Sequence, residues 1–503
     1  MLMPVTRYRV DLDRGIMSHS RRLAAVAMAA SLLLAACGRD DKSATSTSTT
    51  AGAPASSSAS SSAPESSAAP SGSSTSASEQ ASTSSAASTT AAPAKPGPGD
   101  FGDLKAVCGP GSAKGATEQG VTDTGIVMGT VSDPGATVAP GLNQEIFDSA
   151  DAFVAWCNAA GGINGRKITL NKHDAKLFEV GAAYTQACQT DFMEAGPGAA
   201  LDAAGVEPRQ ACGLTQIASY TVSKEAGRAE GSIEALTNND QTSHLRPILR
   251  TIAEKDPAIK DRFALWNNSL PSVIPTGKRT EAAAKLEGFT QKIYEEIPTA
   301  VDNWRPFVEN LKANDIQVLI DYGSAPTFAP AMKMMADVGY FPKYIVLEGN
   351  EYTNQLVQLA GTALDQTTVL VNAMMWPFEL AAENPATQQY LDMLKQYAPS
   401  SIGPRSLGVN ALSAWLLWAV SARDCGSDLT RACVMEKAQA QNEWTGGGLH
   451  VPFKPGPTSE PNSECYTVLH PTSKGFSVAK DWVDANQKIY NCDPKNAEKT
   501  IND

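Results

Sequence analysis

The sequence predicts an α/β protein of two lobes, each a parallel β-sheet flanked by helices. Two observations carry this reading. From Gly120 onward, strand-like and helix-like stretches alternate, and strands joined through helices make parallel sheets with right-handed crossovers. The alternation runs on for about 400 residues, more than one hydrophobic core usually holds, so two lobes are expected rather than one large sheet.

Ile126–Val131 reads as a short buried strand, and Asn143 can cap the helix that follows. Ile146, Phe147, Ala150, Phe153, Val154 and Cys157 keep the helical period, and Gly161-Gly162 ends the helix where left-handed geometry suits glycine. Ile168 and Leu170 alternate in a second strand, and Tyr184, Cys188 and Phe192 stack on one face of the next helix. A third strand is placed around Leu201 and a fourth just before Ser219. Arg262–Trp266, Ile316–Ile320, Tyr344–Leu347 and Thr367–Val371 read as further strands, with helices near 281–294, 326–338, 351–360, 385–397, 406–423 and 431–441. The 406–423 helix carries Leu412, Trp415, Leu416 and Trp418 but is too short to span a membrane, so it reads as a core helix. Met332, Met334 and Met335 read as core filling.

The N-terminal part is different in kind. Arg21 and Arg22 precede an apolar run, Leu23–Ala36, the layout of a secretory signal peptide. Leu34-Ala35-Ala36-Cys37 looks like a bacterial lipobox, which predicts acylation of Cys37 after cleavage and attachment to the outer face of the cell membrane. Met17 is a second candidate start. From Ser43 to Gly99 the chain has almost no charge and no large apolar side chain, so it cannot offset its own ordering entropy. As a flexible tether of about 55 residues it would reach roughly 40 Å.

A net charge of −12, with five Arg against two Asp in the segment to be cleaved, argues against nucleic acid as a partner. Nine cysteines less Cys37 leave eight, an even number suited to disulfides in an exported chain. Cys157 and Cys188 sit late on two successive helices of one sheet face and are expected to pair. Cys425 and Cys433 bracket a short loop, Cys465 and Cys492 share the C-terminal segment, and Cys108 with Cys212 follows by elimination. No C-x-x-C and no metal-ligand spacing among the five histidines is present, so neither a metal nor a cofactor is expected. The chain also lacks a G-x-S-x-G elbow, an H-E-x-x-H motif and a phosphate-binding G-x-x-x-x-G-K-[ST] loop, so it reads as a binder and not an enzyme.

Gly120-Val121-Thr122-Asp123-Thr124, the first strand, Asn158-Ala159-Ala160-Gly161-Gly162-Ile163-Asn164-Gly165-Arg166-Lys167-Ile168 and His173-Asp174 resemble the leucine/isoleucine/valine-binding-protein family. These are substrate-binding lipoproteins of ABC importers. Trp304 with Phe307, Leu311-Lys312-Ala313, Leu319–Ser324, Met335–Gly339 and Trp444–Leu449 are similar as well, so the resemblance covers nearly all of residues 118–490. It implies two Rossmann-like lobes of the type I periplasmic binding fold, joined by three crossovers. Residues 1–36 would be the signal peptide and 37–100 the tether. Lobe 1 would take 101–240 and 366–440, and lobe 2 would take 241–365 and 441–503.

Ligands in open α/β sheets sit beyond the carboxyl ends of the strands. That singles out Ser132 and Asp133, Asp202, Ser219 and Tyr220 in lobe 1, Tyr322, Ser324 and Glu348 in lobe 2, and Trp376 beyond the last strand. In amino-acid-binding relatives, lobe 1 hydroxyls and N–H groups hold the carboxylate and a lobe 2 acid holds the ammonium. Ser219 and Glu348 stand at similar positions, with Tyr220, Tyr322 or Trp376 as apolar walls. The Ser/Thr cluster that the family carries after the third strand is replaced by Asp202-Ala203-Ala204. The resemblance thus implies a monomer that captures a small polar metabolite, such as an amino acid or amide, and delivers it to an ABC permease driven by a separate ATPase. A lipoprotein that senses a ligand and reports to a membrane partner without transport is the alternative.

Overall fold

The computed structural model describes residues 97–236, 239–457 and 462–502. The expected signal peptide, Cys37 and all but the end of the expected tether lie outside the described residues. The described chain holds two sheets. The first contains β1 (Gly125–Ser132), β2 (Lys167–Asp174), β3 (Glu194–Ala195), β4 (Gln216–Ala218) and β5 (Ser232–Glu234), all parallel, in the order β2-β1-β3-β4-β5. The second contains β6 (Phe263–Asn268), β7 (Gln291–Ile297), β8 (Val318–Asp321), β9 (Tyr344–Leu347), β10 (Thr368–Ala373), β11 (Cys465–Thr472) and β12 (Gly475–Val478), with β13 (Asn491–Cys492) paired to β11. Its order is β12-β11-β10-β9-β8-β6-β7, parallel from β7 to β10 and antiparallel at β11 and β12.

Helices cover both faces of each sheet, as parallel strands require. In lobe 1, α1 (Gln144–Ala160) and α2 (Val180–Thr190) pack on β1 and β2 through two separate apolar clusters, α3 (Val206–Ala211) packs on α2, and α4 (Lys224–Gly227) packs on β5. Lobe 2 takes α5 (Arg246–Lys255), α6 (Ile274–Leu286), α7 (Arg305–Ala313), α8 (Ala325–Val338) and α9 (Asn354–Ala360). The chain then returns to lobe 1, where α10 (Pro385–Tyr397) and α11 (Ser406–Cys425) pack on α1, and α12 (Arg431–Gln439) packs on α11. The two tryptophans of α11, Trp415 and Trp418, are fully buried, so this apolar helix is a core helix. The central strands of lobe 2, Val318–Asp321 and Tyr344–Leu347, are buried at every residue, which explains their unbroken apolar runs.

Several expectations need correcting. The third strand is Glu194–Ala195, not around Leu201; Leu201 leads instead into a short 3-10 turn, Asp202–Gly205. The polar Glu194 hides that strand from an apolar search. The helix expected near 281–294 is α6 followed by edge strand β7, the turn passing through Gly288 at φ +86°. Ile293 and Ile297, four apart, mimic a helical face but are the two buried positions of that edge strand. The lobe boundary expected at 366 falls ahead of β10, which pairs with β9 and β11 of the second sheet, so the chain crosses only after Ala373.

All eight described cysteines are bonded. Cys425–Cys433 and Cys465–Cys492 form, the latter across the β11–β13 pair. Cys157 and Cys188 do not pair with each other, nor do Cys108 and Cys212: the bonds are Cys108–Cys157 and Cys188–Cys212. Cys157 is on α1 and Cys188 on α2, either side of β2 along the chain, and each instead bonds a partner from a connecting segment.

Candidate ligand-binding site

Three connections cross between the lobes, and they are laced together. Val451 N donates to Met374 O at 2.9 Å and Trp376 N to Leu449 O at 2.8 Å, joining the second and third connections. Glu234 N donates to Gly456 O at 2.8 Å, joining the third to the first. An apolar cluster of Leu236, Trp376, Val451, Phe453 and Tyr490 packs beside this ribbon.

A cleft of about 640 Å³ opens between the lobes. Its lining begins where parallel strands stop. Tyr220 lies just beyond β4, Tyr322 beyond β8, Glu348 beyond β9 and Met374 beyond β10. This is the crevice where an α/β sheet takes its ligand. The family model for periplasmic binding proteins matches residues 126–475. The chain belongs to that family.

Solved structures share the fold. The fatty acid ABC transporter substrate-binding protein of Thermomonospora curvata is 17% identical with a TM-score of 0.63, over 76% of this chain and 98% of its own. A leucine-binding protein of Thermotoga maritima is 11% identical with a TM-score of 0.59, over 70% and 97%. A branched-chain amino acid binding protein of Streptococcus pneumoniae, in complex with isoleucine, is 14% identical with a TM-score of 0.58, over 71% and 99%. No curated protein matches the chain.

On the lobe 1 side of this periplasmic binding protein, most of the residues expected at the site face away from it. Asp133 is fully buried, its Oδ1 accepting from Leu177 N (3.0 Å) and its Oδ2 from Ala200 N (2.7 Å). Burial raises its pKa while these two N–H groups pull it down. Ser132 Oγ donates to Asn143 O and Ser219 Oγ to Pro197 O. Asp202 accepts from Val222 N and Ser223 N, and burial pushes its carboxyl up to about 6 against those bonds. None of these four lines the cleft, so Asp202 presents no charge to a ligand there. Tyr220 does line it, held by Asn143 Nδ2 at 2.7 Å. Asn143 stands at the start of α1 with φ +57° and makes no side-chain cap; its amide is given to Tyr220 instead.

In lobe 2, Tyr322, Ser324 and Glu348 all line the cleft. Tyr322 Oη is hydrogen-bonded to Thr280 Oγ1, and Ser324 Oγ lies 3.1 Å from Thr327 Oγ1. Burial raises the Glu348 carboxyl, opposed by His244, Asn372 and Arg279 around it. Trp376 is not in the lining: its Nε1 donates to Leu380 O and its ring packs against Tyr490 in the hinge cluster.

Sequence reasoning missed Arg405 and Glu145. Glu145 lies in the first turn of α1, and Arg405 immediately precedes α11. Both line the cleft, with Arg405 Nη1 3.8 Å from Glu145 Oε2. From lobe 1, Arg405 Nη2 also donates to Gln355 Oε1 of lobe 2 at 3.2 Å. Ser272 Oγ crosses the other way, donating to Ala200 O at 2.5 Å. A cation directly ahead of a predicted core helix was the available signal for Arg405. The rest of the wall is largely apolar, including Leu142, Leu177, Trp304 and Met375.

Proposed function

We propose that this protein captures a small metabolite between its lobes and delivers it to an ABC permease powered by a separate ATPase. One observation supports the reading most: a cleft at the carboxyl ends of both sheets, bounded by residues of both lobes across a laced hinge. Ligand touching both walls favours the closed arrangement by its differential affinity, and no catalytic group is needed. Glu348 is the acceptor for an ammonium or amide N–H, and Arg405 is the cation available to a carboxylate. Tyr220, Leu142, Trp304 and Met375 would cover an apolar body. Leucine and isoleucine, named with two of the structural neighbours, combine these features, so an amino acid or amide with an apolar side chain is the proposed cargo. Acylation at Cys37 would hold the protein on the outer face of the membrane, and a flexible tether would keep it within tens of ångströms of a permease.

No described helix is long and apolar enough to cross a membrane. The test is a thermal-shift screen of the protein, begun after Cys37, against amino acids, amides and small acids. A ligand at 100 times its Kd should add about 2.7 kcal/mol of stability. If none of these compounds moves the transition, solute capture is refuted for these classes.

A further inference from the structure

Away from the cleft, three ionisable side chains of lobe 1 converge beside β1. His173 lies near the end of β2, Asp191 follows α2, and Glu194 sits on β3 opposite Gly129 of β1. One donor atom from each lies within 4.8 Å of the others, and all three residues are buried.

Glu194 is the decisive member. It is fully buried between Met193 and Ala195, and neither of its carboxylate oxygens has a hydrogen-bond partner. The nearby Arg209 gives its Nη1 and Nη2 to the carbonyls of Leu214, Gly231 and Glu230. A Cβ on Gly129 would lie 2.0 Å from Glu194 Oε1 and 2.2 Å from Asp191 Oδ2, so this glycine makes the room in which the two carboxylates meet. Asp191, by contrast, is firmly oriented. Its Oδ1 accepts from Asn171 Nδ2 (2.5 Å) and Thr190 Oγ1 (2.9 Å), which turns Oδ2 to His173 Nε2 at 2.6 Å. Two buried carboxylates side by side are costly unless a proton or a cation lies between them.

We propose that His173 Nε2, Asp191 Oδ2 and the Glu194 carboxylate bind a divalent transition-metal ion, Zn²⁺ or Mn²⁺, that fastens β2, β3 and the end of α2 together. One imidazole and two carboxylates form a donor set suited to such ions. Asn171 and Thr190 hold Asp191 from behind, as outer partners commonly orient a metal-binding carboxylate. Bonds of about 2.1 Å at tetrahedral angles separate neighbouring donor atoms by about 3.4 Å, so His173 and Asp191 would need to part by under ~1 Å. The site is structural, since none of the three residues lines the cleft.

The test takes the full chain, purified without a histidine tag, and measures its metal content by mass spectrometry before and after EDTA. Retention of one Zn²⁺ or Mn²⁺ per chain is expected, with a Tm that falls on stripping and recovers when that ion is returned. Glu194→Gln and His173→Gln should each lose both the ion and the recovery. A wild-type chain that holds no metal, and whose Tm ignores EDTA, Zn²⁺ and Mn²⁺, overturns the proposal and leaves a proton shared between the carboxylates. Undiminished retention in both variants also overturns it, by placing the ion elsewhere. The wild-type measurement decides even if neither variant folds, and solute binding at the cleft is read separately.

Discussion

Asp133 in lobe 1 and Glu348 in lobe 2 occupy the same topological place, the first residue beyond a parallel strand. Asp133 is fully buried and clasps the backbone of two loops, whereas Glu348 faces the cleft. The same division holds for their neighbours. Ser132, Asp202 and Ser219 tie down lobe 1 loops, while Tyr322 and Ser324 line the cleft. Lobe 1 lines the cleft instead with Tyr220 and with Arg405 and Glu145 at the starts of two helices. Position beyond a strand therefore nominates a residue, and whether its side chain is spent on the backbone of neighbouring loops separates the lobe 1 braces from the residues that line the cleft.

The sharpest way to break this contrast is Asp133→Ala. It leaves the N–H groups of Leu177 and Ala200 without their acceptor and should cost about 2–5 kcal/mol in denaturant unfolding. The fraction that still folds should bind ligand with unchanged Kd; weakened binding without lost stability would put Asp133 at the site. Asp202 provides a pH test of the same lobe. Its folded carboxyl stands at about 6 against an ordinary 3.8. Its contribution to stability is therefore fully present below about pH 4 and is lost as pH rises through 6, by up to about 3 kcal/mol. Asp202→Asn should flatten that slope in Tm measured across pH, whatever it does to the overall level. Across the cleft, Glu348→Gln should weaken an amine or amide ligand about 10- to 100-fold by calorimetry without lowering Tm. Unchanged affinity would remove Glu348 from the site. The smallest effect is expected from Ser272→Ala, which removes a bond from lobe 2 to lobe 1. The closed arrangement should lose about 1 kcal/mol and apparent affinity about 5-fold.

The legibility of the fold follows the same physics. Strands buried on both faces, such as Tyr344–Leu347, announce themselves as apolar runs. Glu194 does the opposite, being a carboxylate inside a two-residue strand, so β3 was misplaced. The most recognisable motif, around Gly161–Arg166, turns out to be scaffolding. Arg166 is buried, its guanidinium binding the carbonyls of Thr122, Gly115 and Gly426, and a Cβ on Gly162 would lie 2.0 Å from Arg166 O. A family signature can thus report how a lobe is braced while saying nothing of what it binds. The lobe 2 wall was legible because Tyr322, Ser324 and Glu348 closely follow recognisable apolar strands and line the cleft. Arg405 was not, since its role depends on α11 returning to lobe 1 after the chain has visited lobe 2.

The disulfides have a consequence for how the molecule is made. Along the chain the eight described cysteines pair strictly with their neighbours: Cys108 with Cys157, Cys188 with Cys212, Cys425 with Cys433 and Cys465 with Cys492. With Cys37 acylated as proposed, a chain emerging from a translocation pore N-terminus first would offer an oxidant each correct pair before the next cysteine arrives. No bond has to wait for a distant segment, and none has to be undone to admit another. Such a chain could be oxidised correctly by a catalyst with no power to reshuffle.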